Sequence, residues 1–222
     1  MTTFPFTSEQ FFGVFSRYNE AVWPAQIALN IAALLAIFLT VLKRAISDIA
    51  ISGILGLLWF WMAIAYHWAF FREINPGAPM FAALFFLQGA LFLYVGVARK
   101  ALSFAFKRDI RTAIGGALLA YGLVIYPLLG YQLGHAYPQS PTFGLPCPTT
   151  IFTFGMLVWT DRSFPAYILA IPVLWSVIGS TAALAFGVTE DFGLLISCVA
   201  AVSIIVVQNR KPNRNVHANE NI

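Results

Sequence analysis

Cys147 stands between two prolines in the run Gly134–Thr150, GHAYPQSPTFGLPCPTT, and its position gives the thiol a possible chemistry. Pro148 suits the first position of a helix, where the missing N–H costs nothing, so the pattern predicts Cys147 as the N-cap of a helix that starts there. The dipole and free N–H groups of a helix start favour a thiolate, which serves as a nucleophile or as a soft-metal ligand. His135 lies 12 residues earlier in the same run, and His67 ends an apolar stretch in the segment YHW. His67, His135 and Cys147 therefore form a candidate N/N/S set for a transition metal, with Glu73 or Asp191 as a further ligand. The spacing matches no particular metal motif; an inert capped cysteine and histidines bonded to backbone carbonyls are the plainer alternative. Haem held by two histidines fits less well, because both lie near one interface with no further motif.

Other polar residues fall where apolar ones dominate. Asn30 and Gln88, with Gln26 four residues before Asn30, sit inside long apolar runs, where an unpaired amide is expensive. Hydrogen bonding between the first and third of those runs is their plainer role, and a solute path is the other. Thr150, flanked by Thr149 and followed by Thr153, carries polarity from the proline-rich run into the next segment, and Tyr137 adds a hydroxyl within the run. No carboxylate sits in the middle of an apolar run, which argues against an ordinary carboxylate proton relay.

The elements that must position these residues are membrane helices. Apolar residues make up 59% of the 222-residue chain and charged residues only 10%, against roughly 25% charged in ordinary soluble domains. Spans are expected at about Val22–Val41, Ile49–Trp68, Phe81–Ala98, Thr112–Tyr131, Pro148–Thr160, Ala166–Phe186 and Phe192–Val207. The fifth is short: its 13 residues reach roughly 20 Å at about 1.5 Å per residue, where a crossing needs about 30 Å. Pro138, Pro141, Pro146 and Pro148 forbid a regular helix through the loop before it, because each removes a backbone donor. That loop is expected to dip into the membrane to meet the short span, since non-helical backbone survives there only where protein or a wet cavity satisfies it. Gly130 and Gly134 make a GxxxG spacing, read as tight helix packing.

The fold expected is thus all-α, a bundle of seven transmembrane helices. Residues 1–20 hold an amphipathic helix opened by a Thr7/Gln10 capping box, lying in the interface or folded back on the bundle with Phe11, Val14, Phe15 and Tyr18 inward. Residues 21–207 form one transmembrane domain, and 208–222 a polar, disordered tail. With the N-terminus outside and the C-terminus cytoplasmic, 11 of the 13 basic residues fall on the inner side, as the positive-inside rule requires. This topology explains the net charge of +4 without nucleic acid, and the lipid bilayer is the expected partner.

Three classes of function remain open. One is binding or translocation of a small solute or metal ion through an outward-facing site containing His67, His135, Tyr137 and Cys147. A second is a membrane-embedded enzyme with Cys147 as nucleophile or metal ligand and His135 as base. A third is an accessory subunit of a larger membrane complex, or a homo-oligomer, with the glycine-rich fourth span at the interface.

The run GHAYPQSPTFGLPCPTTIFTFG, the opening FPFTSEQFFGVFSRYNEAVWPAQ and the segment WFWMAIAYHWAFFREINP resemble a family of bacterial integral membrane proteins catalogued as domain of unknown function 6064. The resemblance covers most of the chain. It implies an address in the bacterial inner membrane and carries over no functional residue.

Overall fold

The computed structural model of the chain describes residues 4–210, and within them every regular element is helical. Helix α1 (Ser8–Val22) opens with the expected box: Thr7 Oγ1 accepts from Gln10 N, and Gln10 Oε1 accepts from Thr7 N. Then come α2 (Ala25–Leu42), α3 (Ser47–Trp61), α4 (Ala78–Phe92), α5 (Ile110–Ala120), α6 (Tyr126–Gln132), α7 (Pro146–Val158), α8 (Ala170–Phe186) and α9 (Phe192–Arg210). Wider π-helical turns extend α3 over Met62–Trp68 and α4 over Leu93–Ala98, and one over Tyr121–Ile125 joins α5 to α6.

Six stretches are long and apolar enough to cross a membrane: Ala25–Leu42, Ser47–Glu73, Ala78–Ala98, Ile110–Gln132, Ala166–Phe186 and Thr189–Arg210. The seventh expected span is the short α7, and all of its residues except Cys147 are buried. A helix that is apolar on every side belongs in the middle of a bundle, and α7 packs there against α5, α8 and α9. Its N-terminus lies deep: Gly122, near the midpoint of Ile110–Gln132, is so close to it that an added Cβ would stand 2.7 Å from Pro148 O. The proline-rich loop fills the space that the short helix leaves above it.

Each end of the bundle has its own packing. At one end α1 folds back, burying Phe11, Val14, Phe15 and Tyr18 with Tyr66, Phe71, Ala78, Leu145 and Val188. The aromatic stripe therefore faces inward. The loop is tied to α1 and α2 by Asn19, whose Nδ2 donates to Pro138 O (2.6 Å) and Ser140 O (2.8 Å) while its Oδ1 accepts from Gln26 Nε2 (2.7 Å) and Thr142 Oγ1 (2.8 Å). Trp61 Nε1 donates to Tyr18 Oη (2.7 Å), whose hydroxyl donates to Gly144 O (3.3 Å). Burial pushes the ionisation of that phenol well above its ordinary range.

The other end carries Lys43, Arg44, Lys107, Arg108, Arg111 and Arg162, and we refer to it as the basic end. The connector after α4 is tied back onto the end of α7: Phe104 pairs with Thr160 and Ala105 N donates to Trp159 O (2.9 Å). Asp109 caps α5 by accepting from Thr112 N (2.8 Å), a bond that holds its carboxyl below the usual range. Helix α9 runs on through 208–210; the rest of the expected tail lies outside the described residues.

Two packing expectations change. Gly134 has φ +94° and an added Cβ would meet nothing, so it is the left-handed turn that ends α6 and no part of a GxxxG contact. The amides do not bond between the first and third spans either. Gln26 serves Asn19 and Thr142, Asn30 Nδ2 returns to Gln26 O (2.8 Å), and Gln88 Nε2 donates to Ile168 O (3.0 Å). Backbone carbonyls and the loop are nearer partners than a second amide two helices away.

Candidate functional site

At the α1 end, below the folded-back helix, lies a cavity of about 130 Å³. Half of its lining is aromatic, from Phe6 and Phe11 through Tyr66, Phe71 and Phe81 to Trp175 and Phe186. Phe6, Phe11 and Phe186 stack on one another, with centroids 4.7–5.8 Å apart and planes within 25°. The floor is the start of α7 with Pro146, Cys147 and Pro148, and one side is Gly179 of α8.

Two of the residues singled out in the sequence face this space: Cys147, and Asp191, which was expected only as a further metal ligand. The place of Cys147 in the helix differs from expectation: α7 begins at Pro146 with Leu145 as N-cap, so Cys147 is inside the first turn. Both prolines are tolerated because N–H groups of a first turn have no intrahelical acceptor to lose. Gly144, at φ +102°, turns the chain into the helix, and its N–H is held by Thr149 Oγ1 (3.0 Å).

Asp191 is the acidic wall of the cavity. It belongs to the short turn Thr189–Asp191 between α8 and α9, and it is buried to within 2%. The Tyr126 hydroxyl donates to its Oδ1. Tyr66 and Tyr126 each belong to or directly follow a π-helical turn, and such turns often shape functional sites. Trp175 completes the polar side: its Nε1, buried without an acceptor, and Cys147 Sγ would lie 3.2 and 3.3 Å from a Cβ added at Gly179.

The other expected residues are distributed around this space. His67 is wholly buried behind the aromatic wall, its ring edge-on to Phe85 (4.5 Å) and Trp175 (5.2 Å), and neither ring nitrogen has a hydrogen-bond partner. His135 lies against Phe12 with the rings tilted (4.8 Å) and places Nδ1 2.9 Å from Oε1 of the fully buried Glu190. Tyr137 is half exposed and donates to Asn19 O (3.2 Å). Thr150 is buried in α7 with its hydroxyl unpartnered, and Asn30 and Gln88 make the backbone bonds described above. Among the described residues no three His, Cys, Asp or Glu side chains are grouped to hold a metal ion, so the set His67, His135 and Cys147 is not assembled. His135 is likewise absent from the cavity that Cys147 faces, and the nucleophile–base pair does not form there.

The sequence reading took Asp191 only as a further metal ligand and missed that it belongs to a buried acidic pair. Glu190 and Asp191 sit next to each other at a helix junction, where polar residues ordinarily meet solvent, and only the fold shows both to be buried. Trp175 and Tyr126 gave no signal beyond that of aromatic residues in apolar helices.

No curated protein and no solved structure matches the chain. A family model described as a family of unknown function (DUF6064) matches residues 8–216, nearly the whole length, and the protein belongs to that family.

Proposed function

We propose that the protein is a multi-pass protein of the bacterial cytoplasmic membrane that binds a small solute in the aromatic cavity, with the α1 end outside and the basic end in the cytoplasm. The supporting observation for binding is the cavity itself: enclosed by aromatic side chains, carrying one carboxylate, and close in size to the apolar cavity of about 150 Å³ known to admit benzene. The orientation rests on the basic residues. Because the loop before α7 and α7 together lead from one end of the bundle to the other, the chain passes seven times between its ends, and the positive charge gathers at one of them.

Binding is favoured over passage. The threonines below Cys147 are packed in: Thr149 and Thr153 are fully buried, Thr153 donates to Thr149 O (2.8 Å), and it accepts from Trp59 Nε1 (3.1 Å). The cavity is a dead end against α7.

Cys147 reports on the reading directly. A small neutral thiol reagent, methyl methanethiosulfonate, is expected to label Cys147 in the purified protein, and compact aromatic solutes such as benzyl alcohol are expected to slow that labelling. Gly179→Ala would put a methyl within 3.0–3.3 Å of Leu194, Trp175 and Cys147, closing part of the space. It is expected to lower labelling and solute protection together, with the fold retained. Labelling unaffected by solute and by Gly179→Ala alike would remove the cavity as a binding site.

A further inference from the structure

Among the described residues the cavity has an acid and no base: Asp191 lines it, and no Lys, Arg or His does. His135, the nearest basic group by bonding, is engaged with Glu190 instead. A buried carboxylate with a hydroxyl donor but no counter-charge remains costly to ionise, because a neutral hydrogen bond offsets only part of the lost hydration. Two remedies exist: it holds a proton, or a cation comes to it. The walls favour the second, since aromatic faces attract cations and cages of such rings recognise organic ammonium groups.

A second feature of the same wall is also unmet. The Trp175 indole N–H, on a residue that is more than nine-tenths buried, has no acceptor and stands beside Cys147 over Gly179. Its need is for an oxygen, while that of Asp191 is for a donor that carries charge. The ring stack of Phe6, Phe11 and Phe186 offers a flat apolar body its place.

The geometry points to a compact arylalkyl amine as the ligand, bound as its ammonium ion against Asp191 with its ring among the aromatic side chains and an oxygen on the linking carbon toward Trp175. The inference rests on the solute-binding reading above and adds the ligand's class. A cavity of about 130 Å³ limits the body to a single ring. Permanent charge without an N–H, as in phenyltrimethylammonium, keeps the cation–aromatic contact but loses the hydrogen bond to Asp191.

Isothermal titration of the detergent-purified full chain tests this with benzylamine at neutral pH, where it is an ammonium ion, beside its neutral counterpart benzyl alcohol. Wild type is expected to bind benzylamine about tenfold or more tightly than benzyl alcohol. Asp191→Asn keeps a group of the same shape beside Tyr126 and is expected to abolish that preference, with benzyl alcohol still bound. Equal affinities in wild type, or a preference that survives in Asp191→Asn, would overturn the ammonium site. Should Asp191→Asn fail to fold, the charged-to-neutral ratio in wild type decides alone. The oxygen is tested by 2-amino-1-phenylethanol against 2-phenylethylamine: the hydroxyl is expected to tighten binding several-fold, and Trp175→Phe to cancel the gain. No difference in wild type would overturn the Trp175 contact. Binding of benzyl alcohol with no advantage for the amine defeats only the ligand class, whereas no binding of either, with Cys147 labelling unprotected, defeats the cavity reading as well.

Discussion

Asp48 and Asp191 hold corresponding places at opposite ends of the bundle, each at the start of a helical segment, yet their surroundings differ. Asp48 accepts from Lys43 Nζ (3.1 and 3.2 Å), Ser103 Oγ (3.0 Å) and Phe104 N (2.9 Å), and Lys43 also donates to Phe104 O (2.6 Å). Asp191 accepts from Tyr126, faces an aromatic cavity, and among the described residues has no cation beside it. Near the first carboxylate every strong donor has a use; near the second, Trp175 Nε1, both His67 nitrogens and Glu190 Oε2 have no partner. The basic end has unpartnered atoms too, Arg111 Nε, Gln208 Oε1 and Asp161 Oδ1, but the first two side chains make other bonds: Arg111 to Val158 O and Thr160 O, Gln208 to Thr160 O and Arg162 O. Polar groups at the basic end lock a connector in place. At the α1 end they retain capacity around an open volume, which is what a binding site needs and a structural joint does not.

If that contrast is right, the largest stability loss comes from the basic end. Asp48→Ala removes the acceptor shared by three donors and leaves Lys43 with fewer partners. Charge-assisted bonds are worth about 1.5–3 kcal/mol each where well shielded, and this site is partly solvated, so the expected cost is about 2–4 kcal/mol. A denaturant or thermal midpoint in detergent reads it, and ligand affinity of the remaining folded protein should not change. A loss below about 0.5 kcal/mol would mean that the joint is surface decoration.

An intermediate effect is expected from Asn19→Ala. Asn19 alone satisfies two loop carbonyls and receives two donors, so its loss frees the Pro138–Thr142 stretch while the helices stay packed. About 1–3 kcal/mol of local stability is expected to go, equivalent to amide exchange faster by roughly tenfold or more across the loop before α7. Because that loop also lines the cavity through Pro141 and Leu145, solute protection of Cys147 should weaken. Faster exchange spread evenly over all the helices would instead make Asn19 a global support.

The helices were legible because their signals are local. Thr7 and Gln10 stand at capping-box spacing, apolar runs are long enough to cross a bilayer, and Lys and Arg gather toward one end of the bundle. Even the depth of α7 could be read, since 13 residues cannot cross and four prolines forbid a helix before them. The site was not legible in the same way. Cys147 drew attention by its neighbours in sequence, but the groups it meets lie on other helices: Asp191 is 44 positions on and Trp175 is 28. Burial at a helix junction leaves no mark in the sequence, because an acidic pair between two spans reads the same whether water or Tyr126 stands opposite. His67 shows the converse. Its type suggested a ligand, yet rings from four segments enclose it, and a spacing rule cannot foresee that.

His67→Phe gives the smallest effect and the finest test of the contrast between the ends. Its ring meets Phe85, Trp175, Tyr66, Phe81 and Phe71 edge-on or tilted at 4.5–5.9 Å, and neither nitrogen is bonded. Phenylalanine keeps a flat ring of similar size and removes two polar atoms whose desolvation is uncompensated, at the risk of slight overpacking. These terms oppose each other, so stability is expected to stay within about 1 kcal/mol of wild type, on the stabilising side if the pocket yields. Ligand selectivity should persist, because His67 lies behind the wall and Asp191 in front of it. A destabilisation above about 2 kcal/mol would mean that the imidazole does have a hydrogen-bond partner, and the α1 end would then be as fully satisfied as the basic end. A loss of amine preference without loss of stability would instead bring His67 into the site through Trp175, the ring it touches at 5.2 Å and the cavity wall it supports.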